Sequence, residues 1–163
     1  MTNLLPADLK QILVFTLGEP RYALPLTAVE RVVQAVEILP LPKAPPFILG
    51  VIDVQGQVIP VVDLRLRFGL PPRAAALDDR FILARTSRRR VALVADSVNG
   101  IHELADLEFV PLEQVLPGTA DLHGLAKLED GLLLIYDLDQ FLSLDDERSL
   151  DAALADDGAG GVP

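Results

Sequence analysis

One spacing pattern occurs twice in the chain, and it constrains the fold more than any other feature. Gly50 and Asp63 lie 13 residues apart with a glycine at 56 between them, and Gly124 and Asp137 repeat this spacing with a glycine at 131. In each copy the aspartate is followed by a leucine and a short apolar segment. The pattern predicts two copies of one small β unit, offset by 74 residues. A chance resemblance of two hairpins is the alternative.

The sequence around these copies is typical of an all-β protein. Short segments rich in Val, Ile and Leu are separated by Gly and Pro every eight to twelve residues or so, which indicates a sandwich or a barrel. We expect hairpins at 12–17 with 21–24, 47–54 with 57–62, and 124–128 with 132–136, and strands at 81–85 and 91–98. Segment 29–36 fits a strand or a short helix. Pro60 lies inside one hairpin arm, so that arm is expected to be an edge strand or to carry a bulge.

The repeat divides the chain into halves at about 10–70 and 80–143. A C-terminal helix is expected at 144–155, because Ser143 and Asp146 have the spacing of a capping box, and 156–163 is expected to be a disordered acidic tail. Neither half buries enough apolar area to be comfortable alone. We therefore expect the halves to pack together, with a groove between them lined by residues around 29–32, 52–56 and 98–101.

Composition excludes several classes of protein. The net charge of −10 disfavours a nucleic-acid binder, and the absence of cysteine excludes disulfides, thiol catalysis and iron–sulfur clusters. No apolar run reaches the ~20 residues of a membrane span, and residues 1–11 lack the features of a signal peptide, so we expect a cytoplasmic protein without membrane insertion. Eight of the fourteen basic residues fall between Arg65 and Arg90. They fit either a solvated basic surface or a site for an acidic partner.

The sequence offers few groups for catalysis. His102 and His123 are its only histidines, and it has none of the common catalytic or phosphate-binding motifs. Asp137 and Asp139 could form a metal pair, but Asp137 occupies the repeat position of Asp63, and a helix-cap role explains both aspartates. We therefore predict a recognition module, with no catalytic residues, no cofactor and no metal. A small hydrolase or ligand-binding barrel that uses these aspartates or histidines is the alternative.

Four segments then resemble a known family in order and spacing. They are Ile-Leu-Val-Phe-Thr-Leu-Gly at 12–18, Leu-Gly-Val-Ile-Asp-Val-Gln-Gly-Gln-Val-Ile-Pro-Val-Val-Asp-Leu-Arg at 49–65, Val-Ala-Leu-Val-Ala-Asp-Ser-Val at 91–98 and Asp-Gly-Leu-Leu-Leu-Ile-Tyr-Asp-Leu at 130–138. Through them the chain resembles the CheW-type coupling proteins of bacterial chemosensory arrays, from about residue 10 to 143. The second segment is the most specific of the four.

The resemblance implies a CheW-like fold of two five-stranded SH3-like β-barrels with short helices. It also implies a non-catalytic scaffold that bridges the cytoplasmic tips of chemoreceptors and the regulatory domain of a CheA-type histidine kinase. In that family the receptor tip, a helical hairpin, docks an apolar stripe into the groove between the barrels. The expected location is the cytoplasm, at membrane-associated receptor arrays.

By the same resemblance, eight residues are candidates for receptor or kinase contact: Val29, Arg31, Val32, Asp53, Gln55, Gly56, Val98 and Asn99. The chain departs from the family pattern among them. Arg31 stands where a glutamate is usual, and 53–56 reads Asp-Val-Gln-Gly in place of Asn-Leu-Arg-Gly. Altered interfacial charges change partner choice more than they change the fold. A CheW-like domain recruited to another assembly, with a non-receptor partner, is therefore the alternative.

Overall fold

The computed structural model describes residues 9–74, 76, 78–111, 122–140 and 144–160. These residues form mostly β structure. The strands are β1 Gln11–Thr16, β2 Arg21–Pro25, β3 Val29–Gln34, β4 Ile48–Val54, β5 Gln57–Val62, β6 Arg80–Arg85, β7 Arg90–Ala95, β8 Ser97–Glu103, β9 Glu108–Pro111, β10 Leu122–Leu128 and β11 Gly131–Tyr136. The helices are α1 Leu64–Arg67 and α2 Leu144–Gly160, with 3-10 turns at Leu26–Ala28, Leu104–Asp106 and Leu138–Gln140. None of the helices in the described ranges is both long and apolar enough to cross a bilayer.

The strands form two sheets, which confirms the all-β class and the two subdomains. In the described residues sheet I has the order β8-β1-β2-β11-β10-β9, and sheet II has the order β3-β6-β7-β5-β4. The expectation of two closed five-stranded barrels needs correction, because both sheets are open and sheet I has six strands. The extra strand is β9. Its counterpart in sheet II makes only a single bridge, between Leu39 and Val51.

The two sheets do not follow the division of the chain at 10–70 and 80–143. Hairpin β1–β2 joins the later strands β8–β11, and hairpin β6–β7 joins the earlier strands β3–β5. The two exchanged hairpins nevertheless have matching registers. Ala23 pairs with Ile135 across a parallel ladder in sheet I, and its counterpart Ala92 pairs with Val61 in sheet II. The repeat in the sequence therefore extends to the topology, with the hairpins swapped between the halves.

Three apolar clusters hold this arrangement together. One lies inside each sheet, and the largest lies between the two sheets, with Phe15, Leu24, Ile82 and Leu93 fully buried in it. Each such side chain contributes roughly 1.5 to 3 kcal/mol by its burial. Ile52 belongs to the cluster inside sheet II and is only 1% exposed. The expectation that it lines the groove between the halves is therefore wrong, because its strand faces the sheet's own interior.

The glycines that marked the repeat have a steric cause. A Cβ atom at Gly50 would lie 2.1 Å from the carbonyl oxygen of Leu39, and one at Gly124 would lie 2.4 Å from that of Val110. In both halves, therefore, a neighbouring chain crosses directly over the glycine. The turn glycine has a different cause: Gln55 and Gly56 both have positive φ, at 51° and 85°. A two-residue hairpin turn of this shape favours glycine.

Several local expectations needed the structure to be decided or corrected. Segment 29–34 is a strand, and the strand expected at 91–98 ends at Ala95, with β8 beginning at Ser97. Pro60 lies neither on an edge strand nor at a bulge, because β5 sits between β7 and β4 and the register shift is in β4. The ladder from β5 to β7 involves only Val61 and Val62, so the missing N–H of Pro60 is not needed.

The C-terminal helix is longer than expected. It continues to Gly160, so the part of the expected disordered tail up to that residue has helical backbone. Alanine is the strongest helix former, and the alanines at 152, 153 and 155 favour this continuation. Ser143 and residues 161–163 lie outside the described residues.

Candidate functional site

The eight candidate residues fall on three structural elements. Val29, Arg31 and Val32 lie on β3, an edge strand of sheet II, and Val98 and Asn99 lie on β8, an edge strand of sheet I. Asp53, Gln55 and Gly56 lie at the turn between β4 and β5, and all three are exposed.

The three valines contact the same apolar cluster from different sheets. Val29, Val32 and Val98 are each half-buried and pack against the cluster between the sheets. A register shift between Val29 and Arg31 in β3 leaves Glu30 without a direct partner on β6. Such a bulge lets residues on either side of it face the same way. The valines therefore form an apolar edge that borders the seam between the two sheets.

Ile101 belongs to this edge but was not among the eight candidates. It lies 69 residues after Val32, and Val98 lies 69 residues after Val29. A matching register shift in β8 leaves Asn99 unpaired, as Glu30 is in β3. Ile101 is 56% exposed. The offset of the repeat was the signal that could have identified it.

The turn candidates are fixed by local hydrogen bonds. An oxygen of Asp53 accepts the N–H of Gly56 at 2.8 Å, so this carboxylate stabilises the turn. Arg90, which the sequence did not single out, links the turn to β3: its Nε donates to Glu30 Oε1 at 2.6 Å and its Nη1 donates to Gln57 Oε1. The β4–β5 turn and the start of β3 thus form one connected surface at one end of sheet II.

Asp96 connects the two sheets through polar contacts. It is the single residue between β7 and β8, and its carboxylate accepts the N–H of Gly18 at 2.6 Å, Arg65 at 2.5 Å and Arg73 at 2.6 Å. Burial acts to raise the pKa of Asp96, but the Gly18 hydrogen bond and the two guanidinium groups outweigh it and hold the pKa below its ordinary value. Arg73 also pairs with the buried Asp79 at 2.6 Å.

A second ion-pair cluster holds α2 on the β6–β7 turn. Nε of Arg89 donates to Glu147 Oε1 at 2.6 Å, and the same guanidinium contacts Asp151. Glu147 is only 4% exposed, and Leu150 and Ala153 on the same helix are buried in the cluster between the sheets. Burial acts to lower the pKa of Arg89, but its hydrogen bonds to the two carboxylates outweigh that effect and raise it.

The basic stretch between Arg65 and Arg90 is therefore used largely within the chain. Hydrogen bonds or ion pairs to described residues engage five of its eight arginines: Arg65, Arg73, Arg80, Arg89 and Arg90. For these five, neither a freely solvated surface nor a site for an acidic partner is the correct interpretation, because their partners are in the same chain.

The candidates for catalysis serve the backbone. Asp63 accepts the N–H of Leu66 at 3.2 Å, which confirms its cap role at α1. Asp137 accepts the N–H of Asp139 at 3.1 Å, and Asp139 accepts the N–H of Ser87 at 2.6 Å. These two aspartates and His123 line a pocket of about 290 Å³. Within the described ranges, no three metal-binding side chains are grouped so that they could hold an ion.

The fold and this surface define a class of small β proteins with two subdomains that share one core and expose apolar edge strands beside it. A family model described as the CheW-like domain matches residues 11–146. The chain belongs to the CheW-like family. Proteins of this family are non-catalytic scaffolds of chemotaxis signalling that link receptors and CheA.

Individual relatives agree with this assignment. The chain is 25% identical over 139 residues to the chemotaxis protein CheW of Helicobacter pylori, covering 85% of this chain and 84% of the relative. It is 28% identical over 143 residues to that of Bacillus subtilis, covering 86% and 91%. The crystal structure of the scaffolding protein TtCheW from Thermoanaerobacter tengcongensis is similar, with a TM-score of 0.72, 32% identity, and coverage of 84% of this chain and 94% of that one. The resemblance noted in the sequence is thereby confirmed.

Proposed function

We propose that this chain couples a chemoreceptor to a CheA-type kinase by binding each of them non-catalytically. Family membership over residues 11–146 carries the proposal. We assign the receptor contact to the apolar edge formed by Val29, Val32 and Val98, and a second contact, to receptor or kinase, to Asp53, Gln55 and Gly56. The setting that fits this role is the cytoplasmic side of a receptor array.

The physical basis is docking of a helix against a half-covered apolar surface. The three valines are already packed on one side, so binding would order few new side chains. Covering the remaining exposed part of each valine would contribute about 1 kcal/mol. A contact of this size supports a complex of micromolar affinity, corresponding to roughly 8 kcal/mol, when further polar contacts add to it.

The chain's own charges bear on the choice of partner. Arg31 and Asp53 differ in charge from the residues usual in the family, and Gln55 replaces an arginine. Such changes select among partners without altering the fold. The proposed partners are therefore the receptor and kinase of this chain's own pathway, and a CheW-like role in another assembly is the competing outcome.

The proposal is tested by calorimetric titration of the full chain with receptor-tip hairpin fragments and with the CheA regulatory domain from the same genome. Val29→Asp and Val98→Asp should each weaken receptor binding at least tenfold, or about 1.4 kcal/mol, because a charge replaces a half-buried apolar contact. Leu66→Asp is the matched control, since Leu66 is 52% exposed on α1, away from this edge.

Two results would contradict the proposal. If neither fragment binds the wild-type chain across all receptor and kinase candidates of the genome, the coupling role is wrong. If the chain instead copurifies with a defined complex that contains no receptor and no kinase, its role lies in another assembly.

A further inference from the structure

Two arginines beside the apolar edge differ from most others in the chain. Arg31 on β3 and Arg85 at the end of β6 are exposed, and neither has a hydrogen bond or an ion pair to any described residue. A guanidinium carries five N–H donors and accepts no hydrogen bond. At this end of sheet II, therefore, donors are in excess and face solvent.

The nearby carboxylates do not compensate these two arginines. Glu30 is bound by Arg90 at 2.6 Å. Asp137 and Asp139 line the same pocket as Arg85, but each accepts a backbone N–H and neither forms an ion pair with Arg85 within the described ranges. The arrangement leaves Arg31 and Arg85 as the positive groups available to a binding partner.

The sheet geometry sets the distance between them. Arg31 pairs with Leu83, and Arg85 follows Leu83 by two residues on β6, so both arginines occupy diagonal positions on one face of the ladder. Diagonal neighbours in an antiparallel pair lie about 7 to 8 Å apart. Acidic residues one turn apart on a helix have Cβ atoms about 5 to 6 Å apart, and long arginine side chains span the difference.

The apolar edge and the two arginines can contact one helix. Val29 and Val32 face the cluster between the sheets, whereas Arg31 and Arg85 start from the opposite face of the same edge. Because a helix with its side chains is about 10 to 12 Å wide, one that lies along an edge strand can contact both faces.

We propose that Arg31 and Arg85 determine partner specificity by pairing with two carboxylates, one helical turn apart, beside the apolar ridge of the docked receptor helix. The inference rests on the proposed function and adds the chemistry of the ligand. The chain carries a net charge of −10, so an acidic helix is repelled by most of its surface. The two arginines mark the edge at which such a helix is accepted, and like charges disfavour it elsewhere.

The test measures association rates of the full chain with the receptor-tip fragment that binds in the titration above. Arg31→Glu and Arg85→Glu should each slow association about tenfold at low salt, and the loss should shrink toward 1 M salt, where the screening length is about 3 Å. Arg67→Glu is the control, because Arg67 is exposed on α1 and the substitution changes the net charge equally. A tip fragment whose acidic residues beside the ridge are changed to lysine should bind the two β-edge variants better than the wild type.

The outcomes separate this inference from the proposed function. If a tip binds but Arg31→Glu and Arg85→Glu behave like Arg67→Glu, the specificity role is wrong and the coupling role stands. If the lysine-bearing tip does not recover binding to the variants, the pairing with carboxylates is wrong. If no tip binds the wild type, both proposals are wrong.

Discussion

The substitution Gly50→Ala should destabilise the protein far more than an ordinary glycine replacement. A Cβ atom at this position would lie 2.1 Å from the oxygen of Leu39 and 2.8 Å from Cγ2 of Ile38, so the crossing chain must move by about 1 Å. That chain is bonded to Val51 in both directions, at 2.9 and 2.8 Å. Losing the two hydrogen bonds costs about 2 kcal/mol, and overpacking adds about 1 to 3 kcal/mol. The expected loss is therefore about 3 to 5 kcal/mol.

The matched control is Gly56→Ala, where φ is +85° but no atom lies within 4 Å of the added Cβ. Only backbone strain is expected there, about 1 to 2 kcal/mol. The free energy of unfolding is measured by denaturant titration of both variants and the wild type, with the slope checked for constancy. Gly124→Ala should resemble Gly50→Ala, because its Cβ would lie 2.4 Å from Val110 O. Equal losses at positions 50 and 56 would refute the steric explanation of the repeat.

Two further predictions concern the ion pairs. Because the pKa of Asp96 is lowered in the folded state, its charge stabilises the protein above its unfolded pKa of about 3.8, and this contribution is lost as the pH falls through the folded value. Asp96→Asn should therefore cost about 2 kcal/mol at pH 7, and denaturant titrations from pH 7 down to pH 3 should show the gap to wild type closing below about pH 4; a constant gap would count against it. Arg89→Ala, which leaves Glu147 buried without its cation, should cost about 3 kcal/mol and expose α2 to protease, whereas Arg21→Ala at the exposed Asp130 pair should cost less than about 1 kcal/mol. Similar losses in the two arginine variants would show that the α2 contact is not a buried pair.

Local features of the sequence predicted the strands and turns well, because they depend on neighbouring residues. The Gln55-Gly56 turn and the Asp63 cap needed only turn and capping preferences, and both are present. The exchange of hairpins between the sheets was not predictable in this way. The hairpins β1–β2 and β6–β7 occupy equivalent places in the two sheets, so the pattern of a hairpin does not reveal which sheet it joins.

The candidate site was located in part. The valines of β3 and β8 were identified, and the offset of the repeat adds Ile101. Arg90 and Asp96 were not identified as links, because their partners are distant in the sequence: Arg90 reaches Glu30, and Asp96 reaches Gly18. Side-chain pairs of this kind depend on tertiary packing, which hydrophobic periodicity does not encode.

The central claim is that valines from two different sheets form one binding surface. Methyl spectra of the full chain, with valine methyls labelled, test it during titration with the receptor-tip fragment. The methyl signals of Val29, Val32 and Val98 should shift together with one dissociation constant, while those of Val36, which is 51% exposed outside this edge, stay unchanged. Shifts confined to β3 or to β8 alone, or shifts at Val36 without any at the three valines, would contradict the claim.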